Sequence, residues 1–146
     1  MIKFANFFVS LSFAGYIKLI PPGTFASFLT IVILFPIVEY KIISLEIFVA
    51  FFIVFFLLSL FFISQFSLHN KSHDSKIIVI DEFLGIYLIL LFYDQIKIIN
   101  PYVTMMLIFI LFRFFDILKI FPANIVDKRL KSAFGVILDD LIAGIY

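Results

Sequence analysis

Two pairs of adjacent acids stand inside otherwise apolar stretches: Asp81 and Glu82 in "IIVIDEFLGIYLILLF", Asp139 and Asp140 in "GVILDDLIAG". A carboxylate in such surroundings is costly and normally faces an interior partner. A third stretch, "FRFFDILK", sets Arg113, Asp116 and Lys119 at intervals of three. On a helix that spacing keeps Arg113 and Asp116 on one face. Five of the chain's ten acids therefore sit in or beside apolar helices. Brought together, they repel one another unless positive charge intervenes. Arg113 and Lys119 supply some, and a hard divalent cation would supply more. Mg2+ suits an all-oxygen site with retained waters. The chain has no cysteine, and its two histidines, His69 and His73, fall in a polar loop, which argues against zinc. Two cations beside a carboxylate also suit a phosphate monoester, Arg as a bidentate fork and Lys as a point charge. The bland alternative is two cations snorkelling at a helix end, with Asp116 as salt-bridge partner.

Two further features bear on that chemistry. "PPGTFAS", Pro21 to Ser27, reads as a loop entering a helix, with Thr24 as N-cap and Ser27 at N3. Free N–H groups of such a first turn can hold a phosphate oxygen, although a simple capped helix has the same pattern. Asp127, beside Lys128 and Arg129, either lines the site or belongs to a charged loop facing anionic headgroups. Asp139 and Asp140 lie about 100° apart on a helix, so both can face a cavity but not one narrow stripe. Ala143 and Gly144 after them, and Gly85 one turn after Asp81, favour close helix packing beside the acids.

The elements that position these residues are membrane helices. Of 146 residues, 64% are apolar and 14% charged, and the mean hydropathy is +1.23. A soluble domain is nearer half apolar and a quarter charged. The expected fold is an all-α integral-membrane bundle of about five to six short helices, a single domain over residues 1–146. A net charge of +1 gives no reason to expect nucleic acid. Ile47–Ser64 is the clearest span, 18 residues without a charge. Helices are also expected over 25–38, 77–93 and 98–112, the last with Pro101 in its first turn, where a missing N–H costs little. Residues 134–146 reach only about 20 Å, a half-helix or the start of a longer one. Residues 2–20 are expected to be retained, either spanning or lying at the interface.

If helices from 25, 47, 77 and 98 alternate in direction, one side receives Lys18, Lys71, Lys76, Arg113, Lys119, Lys128, Arg129 and Lys131. The other receives Lys41 and Lys97. Eight against two is a strong positive-inside bias, so the basic side should be cytoplasmic. Asp81 and Glu82, Arg113 and Asp116, Asp139 and Asp140, and the Pro-Gly-Thr loop then arrive at that same face, at similar depth.

"PPGTFASFL", "HDSKIIVIDEFLG" and "FRFFDILKIFPANIVDKRLKSAFGVILDDLIAG" resemble, in order and spacing, the phosphatidylglycerophosphatase A family. The resemblance runs from about residue 15 to 144. It implies a Mg2+-dependent lipid phosphatase of the bacterial inner membrane, taking the terminal phosphate from phosphatidylglycerophosphate to give phosphatidylglycerol. The family's acidic motifs fall on Asp81, Glu82, Asp116, Asp139 and Asp140, and its basic positions on Arg113 and Lys119. A further acid falls on Asp127, and the Pro-Gly-Thr loop on Pro22, Gly23 and Thr24, with Ser27 following. Ile120 stands where the family usually has proline. Ser132 and Ala133 replace a glycine pair, and Ala26 replaces the glycine before the serine; the charged positions are spared.

With the resemblance in hand, Asp81, Glu82, Asp139 and Asp140 are expected to hold one or two Mg2+ ions. Arg113 and Lys119 are expected to stabilise phosphoryl charge. Asp116 is expected as a metal ligand or general base, and Thr24, Ser27 and Asp127 as phosphate or substrate contacts. An aspartyl-phosphate route stays open beside direct hydrolysis. Two other classes place carboxylates at membrane depth. A small cation-coupled transporter would show repeats and broken helices, and a CDP-alcohol phosphotransferase would show spaced Asp-Gly and Ala-Arg motifs. Neither pattern is found.

Overall fold

The computed structural model describes residues 2–16, 20–70, 77–98 and 100–146. Lys18, Lys71, His73, Asp74 and Lys76 lie outside the described residues. Every regular element among those described is helical. In chain order the α-helices are α1 (Ile2–Val9), α2 (Pro22–Glu39), α3 (Leu45–Asn70), α4 (Ile80–Leu91), α5 (Tyr93–Ile96), α6 (Pro101–Leu118), α7 (Ala123–Arg129) and α8 (Ala133–Ile145). A single 3-10 turn, Ala14–Tyr16, follows α1. The count exceeds the expected five to six because α5 and α7 are short helices inside segments expected to be loops.

Three helices, Pro22–Glu39, Leu45–His69 and Pro101–Leu118, are long and apolar enough to cross a membrane. Their outward faces carry large apolar side chains, among them Phe51, Leu57 and Phe61 of α3 and Met106, Ile110 and Phe114 of α6. Hydroxyls within the long helices bond back to carbonyls four residues earlier: Thr30 to Ala26 (2.7 Å), Ser59 to Phe55 (2.7 Å) and Ser64 to Leu60 (2.7 Å). That pattern satisfies each hydroxyl without water, as an apolar surround requires.

The expected span over 77–93 is shorter than its apolar run. The Val79 N–H donates to the Val9 carbonyl (2.9 Å), tying the residue before α4 to the end of α1 outside any helix. Helix α4 therefore starts at Ile80, has 12 residues, and rises about 18 Å. It is the hub of the bundle, packed by α8, α2, α3 and α6, with Phe83, Leu84, Ile86, Tyr87 and Leu90 all buried. Helix α1, eight residues long, is too short to span; Phe4 and Phe8 rest on Phe62 of α3.

The start of α2 also differs from expectation. Pro21 is the N-cap, and no side chain caps the helix. Pro22 and Gly23 are inside its first turn rather than in a loop, and Thr24 is not the cap. Proline fits there because its missing N–H has no partner to lose at N1. At the start of α6, by contrast, the Asn100 side chain accepts from the N–H groups of Tyr102 (3.0 Å) and Val103 (3.3 Å).

The helices alternate as the charge pattern requires. At one end of the bundle the Tyr93 hydroxyl bonds to Glu39, and Asp94 meets Lys97 (2.8 Å) and Lys41 (3.6 Å). At the other end the first turns of α2 and α4 meet the last turn of α6, with α7 and α8 beside them.

Candidate active site

Asp81 and Glu82 lie in the first turn of α4, where the unpaired N–H groups and helix dipole favour negative charge. Asp140 reaches them from α8. Oxygens of Asp81, Glu82 and Asp140 all lie within 4.8 Å of one another. The approach is possible because α4 and α8 cross at glycines. A Cβ on Gly144 would lie 2.8 Å from the Gly85 carbonyl oxygen, and one on Gly85 would lie 2.5 Å from Phe112 Cε2 and 3.0 Å from the Asp140 carbonyl oxygen. Each glycine stands one turn beyond its acid, so the crossing sets the distance between the carboxylates.

Arg113, near the end of α6, supplies the adjacent charge. Its Nη1 lies 2.5 Å from Asp116 Oδ2 and 3.8 Å from Glu82 Oε1. The Asp116 contact is an ion pair whose angles fall outside hydrogen-bond geometry, and Arg113 Nε is buried with no hydrogen-bond partner. The first turn of α2 closes the other side. A Cβ on Gly23 would overlap Glu82 Oε1 and come within 3.2 Å of Arg113 Nη1.

Lys119 ends α6 in the left-handed conformation (φ 43°), which turns the chain toward α7. Its Nζ donates to Asp127 (2.6 Å) and to Asp139 (2.6 Å). Burial of the ammonium pulls its pKa down, but Asp127 and Asp139 outweigh this and hold it above the ordinary lysine value. The ammonium therefore stays charged. Asp139 and Asp140 are only 6% and 4% exposed, so both adjacent acids turn inward, one to Lys119 and one to Asp81 and Glu82. A cavity of about 70 Å³ lies beside Lys119, lined by Asp81, Lys119, Asp127, Lys131 and Asp139 among others, and meets the acid cluster at Asp81. A space of that size has room for water. A larger cavity, about 420 Å³, lies at the opposite end around Lys41 and Asp94, away from the acid cluster.

The donor set fits a hard cation. Asp81, Glu82 and Asp140 offer only oxygen, and Glu82 Oε2 is buried without a hydrogen-bond partner. Uncompensated, three such carboxylates would repel one another strongly. Oxygen-only ligation of this kind suits Mg2+.

A profile of the family described as PgpA, phosphatidylglycerophosphatase A, matches residues 7–146. The chain belongs to that family. A phosphatidylglycerophosphatase A of Haemophilus influenzae is 32% identical over 125 residues, covering 86% of this chain and 73% of the relative. No solved structure matches the chain.

For this phosphatidylglycerophosphatase A family member, the structure gathers Asp81, Glu82, Asp116, Arg113, Lys119, Asp127, Asp139 and Asp140 at one end. Asp139 stands outside the three-carboxylate group and is bound to Lys119 instead. Ser27 is buried, and its hydroxyl donates to the Gly23 carbonyl (2.8 Å), bracing the first turn of α2. Thr24 lies in that turn, next to Gly23. His69 lies in the last turn of α3 rather than in a loop and belongs to no ligand group among the described residues. Sequence reading passed over Gly23 as a packing residue and Lys131 as a pocket residue. The preference for proline at the first helical position would have placed Gly23 within α2.

Proposed function

We propose that the chain hydrolyses the terminal phosphomonoester of phosphatidylglycerophosphate, using Mg2+, to yield phosphatidylglycerol and phosphate. The observation that carries this reading is the convergence of Asp81, Glu82 and Asp140 beside Arg113 in a chain of this family. Asp81, Glu82 and Asp140 would hold the cation, while Asp139 holds Lys119 beside them. When bound there, the cation supplies positive charge to the phosphate and acidifies water.

The side chains do the rest. Arg113 turns its free Nε and the rest of its fork to the phosphoryl oxygens, where charge builds in the transition state. Asp116 orients Arg113 through its ion pair. Lys119 is held by Asp127 and Asp139 as a fixed point charge at the cavity wall. Thr24 contacts a phosphoryl oxygen from the first turn of α2. Water is the nucleophile in this reading, and the apolar flanks of α4 and α8 limit bulk water around it. The site lies on the cytoplasmic side of a bacterial inner membrane, a placement that rests on the eight-to-two distribution of Lys and Arg between the two sides.

Phosphate release from phosphatidylglycerophosphate in detergent, with and without Mg2+, tests the reading. The expected result is Mg2+-dependent release. Release only of CMP from a CDP-lipid would move the chain to phosphotransferase chemistry, and no turnover on either lipid would overturn the enzyme assignment.

A further inference from the structure

We propose that Lys131 is a specificity residue that binds the phosphodiester of the lipid substrate, while the phosphomonoester sits over Asp81, Glu82 and Asp140; this rests on the phosphatase reading above. Lys131 lines the same cavity as Asp81, Lys119, Asp127 and Asp139. Lys119, the other cation lining it, is already engaged, as is Arg113 in the neighbouring acid cluster. Arg113 pairs with Asp116 and Glu82, and Lys119 with Asp127 and Asp139. Lys131 forms no ion pair among the described residues.

Its backbone is fixed at the cavity rim. The Ser132 N–H donates to the Leu130 carbonyl (2.8 Å), an i to i+2 bond that closes a γ-turn on Lys131. The Ser132 hydroxyl in turn accepts from the Gly135 N–H (3.2 Å) and caps α8. Gly135 has no Cβ to collide with the Leu130 carbonyl, so the turn lies directly on α8. The result is one anchored lysine, its ammonium in no ion pair among the described residues, lining a cavity that it shares with three acids and the engaged Lys119.

Phosphatidylglycerophosphate carries two phosphates, a reacting monoester and a singly charged diester leading to the acyl chains. A diester entering beside Asp127 and Asp139 meets repulsion unless a cation faces it. Lysine, a compact point charge on a flexible stem, matches a singly charged diester that needs no bidentate fork. The competing role is general attraction to anionic headgroups.

The test uses the full chain in neutral-detergent micelles turning over phosphatidylglycerophosphate. Two inhibitors represent the halves of the substrate: dihexanoyl-phosphatidylglycerol, which has only the diester, and inorganic phosphate. Lys131→Gln should raise the inhibition constant of dihexanoyl-phosphatidylglycerol about tenfold and leave that of inorganic phosphate within about twofold. The loss in turnover should fall on KM rather than kcat. Lys131→Met, which keeps the apolar stem, should behave the same way, and Lys131→Arg should restore the diester inhibitor. Equal losses for both inhibitors, or none, would overturn the assignment. So would an effect confined to binding of anionic vesicles, which would make Lys131 a membrane-surface residue. A wild-type chain that releases no phosphate overturns the phosphatase reading and this inference together. Normal wild-type turnover with unaltered variants overturns only the role of Lys131.

Discussion

Gly23 and Arg113 are the residues at which the proposed site is most sensitive to small changes. Gly23→Ala adds one carbon where Glu82 Oε1 already sits, 3.2 Å from Arg113 Nη1, so the Glu82 carboxylate must move. The expected outcome is a loss in phosphate release of about 10- to 100-fold, the range seen when a metal ligand loses its support, with the helical circular-dichroism spectrum retained. Arg113→Ala should do more. It leaves Asp116 and Glu82, both largely buried, without their cation. Thermal unfolding in detergent should show a stability loss of about 3–5 kcal/mol alongside the lost turnover. The acids themselves were legible in sequence, because a charge inside an apolar helix is expensive enough to demand a reason. Their partners were less so. Adjacent acids project about 100° apart, and nothing in "LDD" says which meets Lys119 and which meets Asp81. That division depends on the left-handed backbone at Lys119, which the residue type does not announce.

At the scale of elements, the crossing of α4 and α8 is what converts two acidic motifs into one cluster. Gly85→Ala would set a methyl 2.5 Å from Phe112 Cε2 and 3.0 Å from the Asp140 carbonyl oxygen. Overpacking of that kind costs about 1–3 kcal/mol. Relief by separating the helices should raise the Mg2+ concentration needed for half-maximal activity. A lowered melting temperature with an unchanged Mg2+ requirement would mean that the crossing stabilises the bundle without setting the carboxylate spacing. Sequence pattern alone found the helices around α3, α6 and α8, whose apolar runs are long or end at clear signals. It overextended α4, because an apolar run does not reveal that the Val79 N–H is taken by the Val9 carbonyl and that the helix begins only at Ile80. It started α2 late, because Pro22 and Gly23 are helix breakers in an interior but acceptable in a first turn.

For the whole molecule, the two ends of the bundle differ in charge and in chemistry. One gathers the acid cluster with Arg113, Lys119 and Lys131; the other has Lys41, Asp94 and Lys97. The chain has no cysteine, so single-cysteine variants report sidedness without background. Lys41→Cys should react with a membrane-impermeant thiol reagent added to intact spheroplasts, whereas Lys128→Cys should react only after permeabilisation. The reverse pattern would put the proposed site on the outer face and contradict the charge argument. The all-helical, membrane-type architecture followed from composition, since a chain this apolar has few other ways to satisfy its backbone. The meeting of α2, α4, α6 and α8 at one site followed only in part. Alternating helices bring the motifs to one face, but which side chains touch depends on the glycine crossing and the short turns.

The central claim is that Asp81, Glu82 and Asp140 hold the cation on which phosphomonoester hydrolysis depends. The most direct measurement is phosphate release from phosphatidylglycerophosphate as a function of Mg2+ concentration, for the wild-type chain and for Asp140→Asn. The account predicts saturable Mg2+ dependence in the wild type. It predicts a loss of more than about 100-fold in the variant, exceeding that of an outer-shell partner, with the fold intact. Equal release from both proteins, or wild-type release that persists in excess chelator, would contradict it.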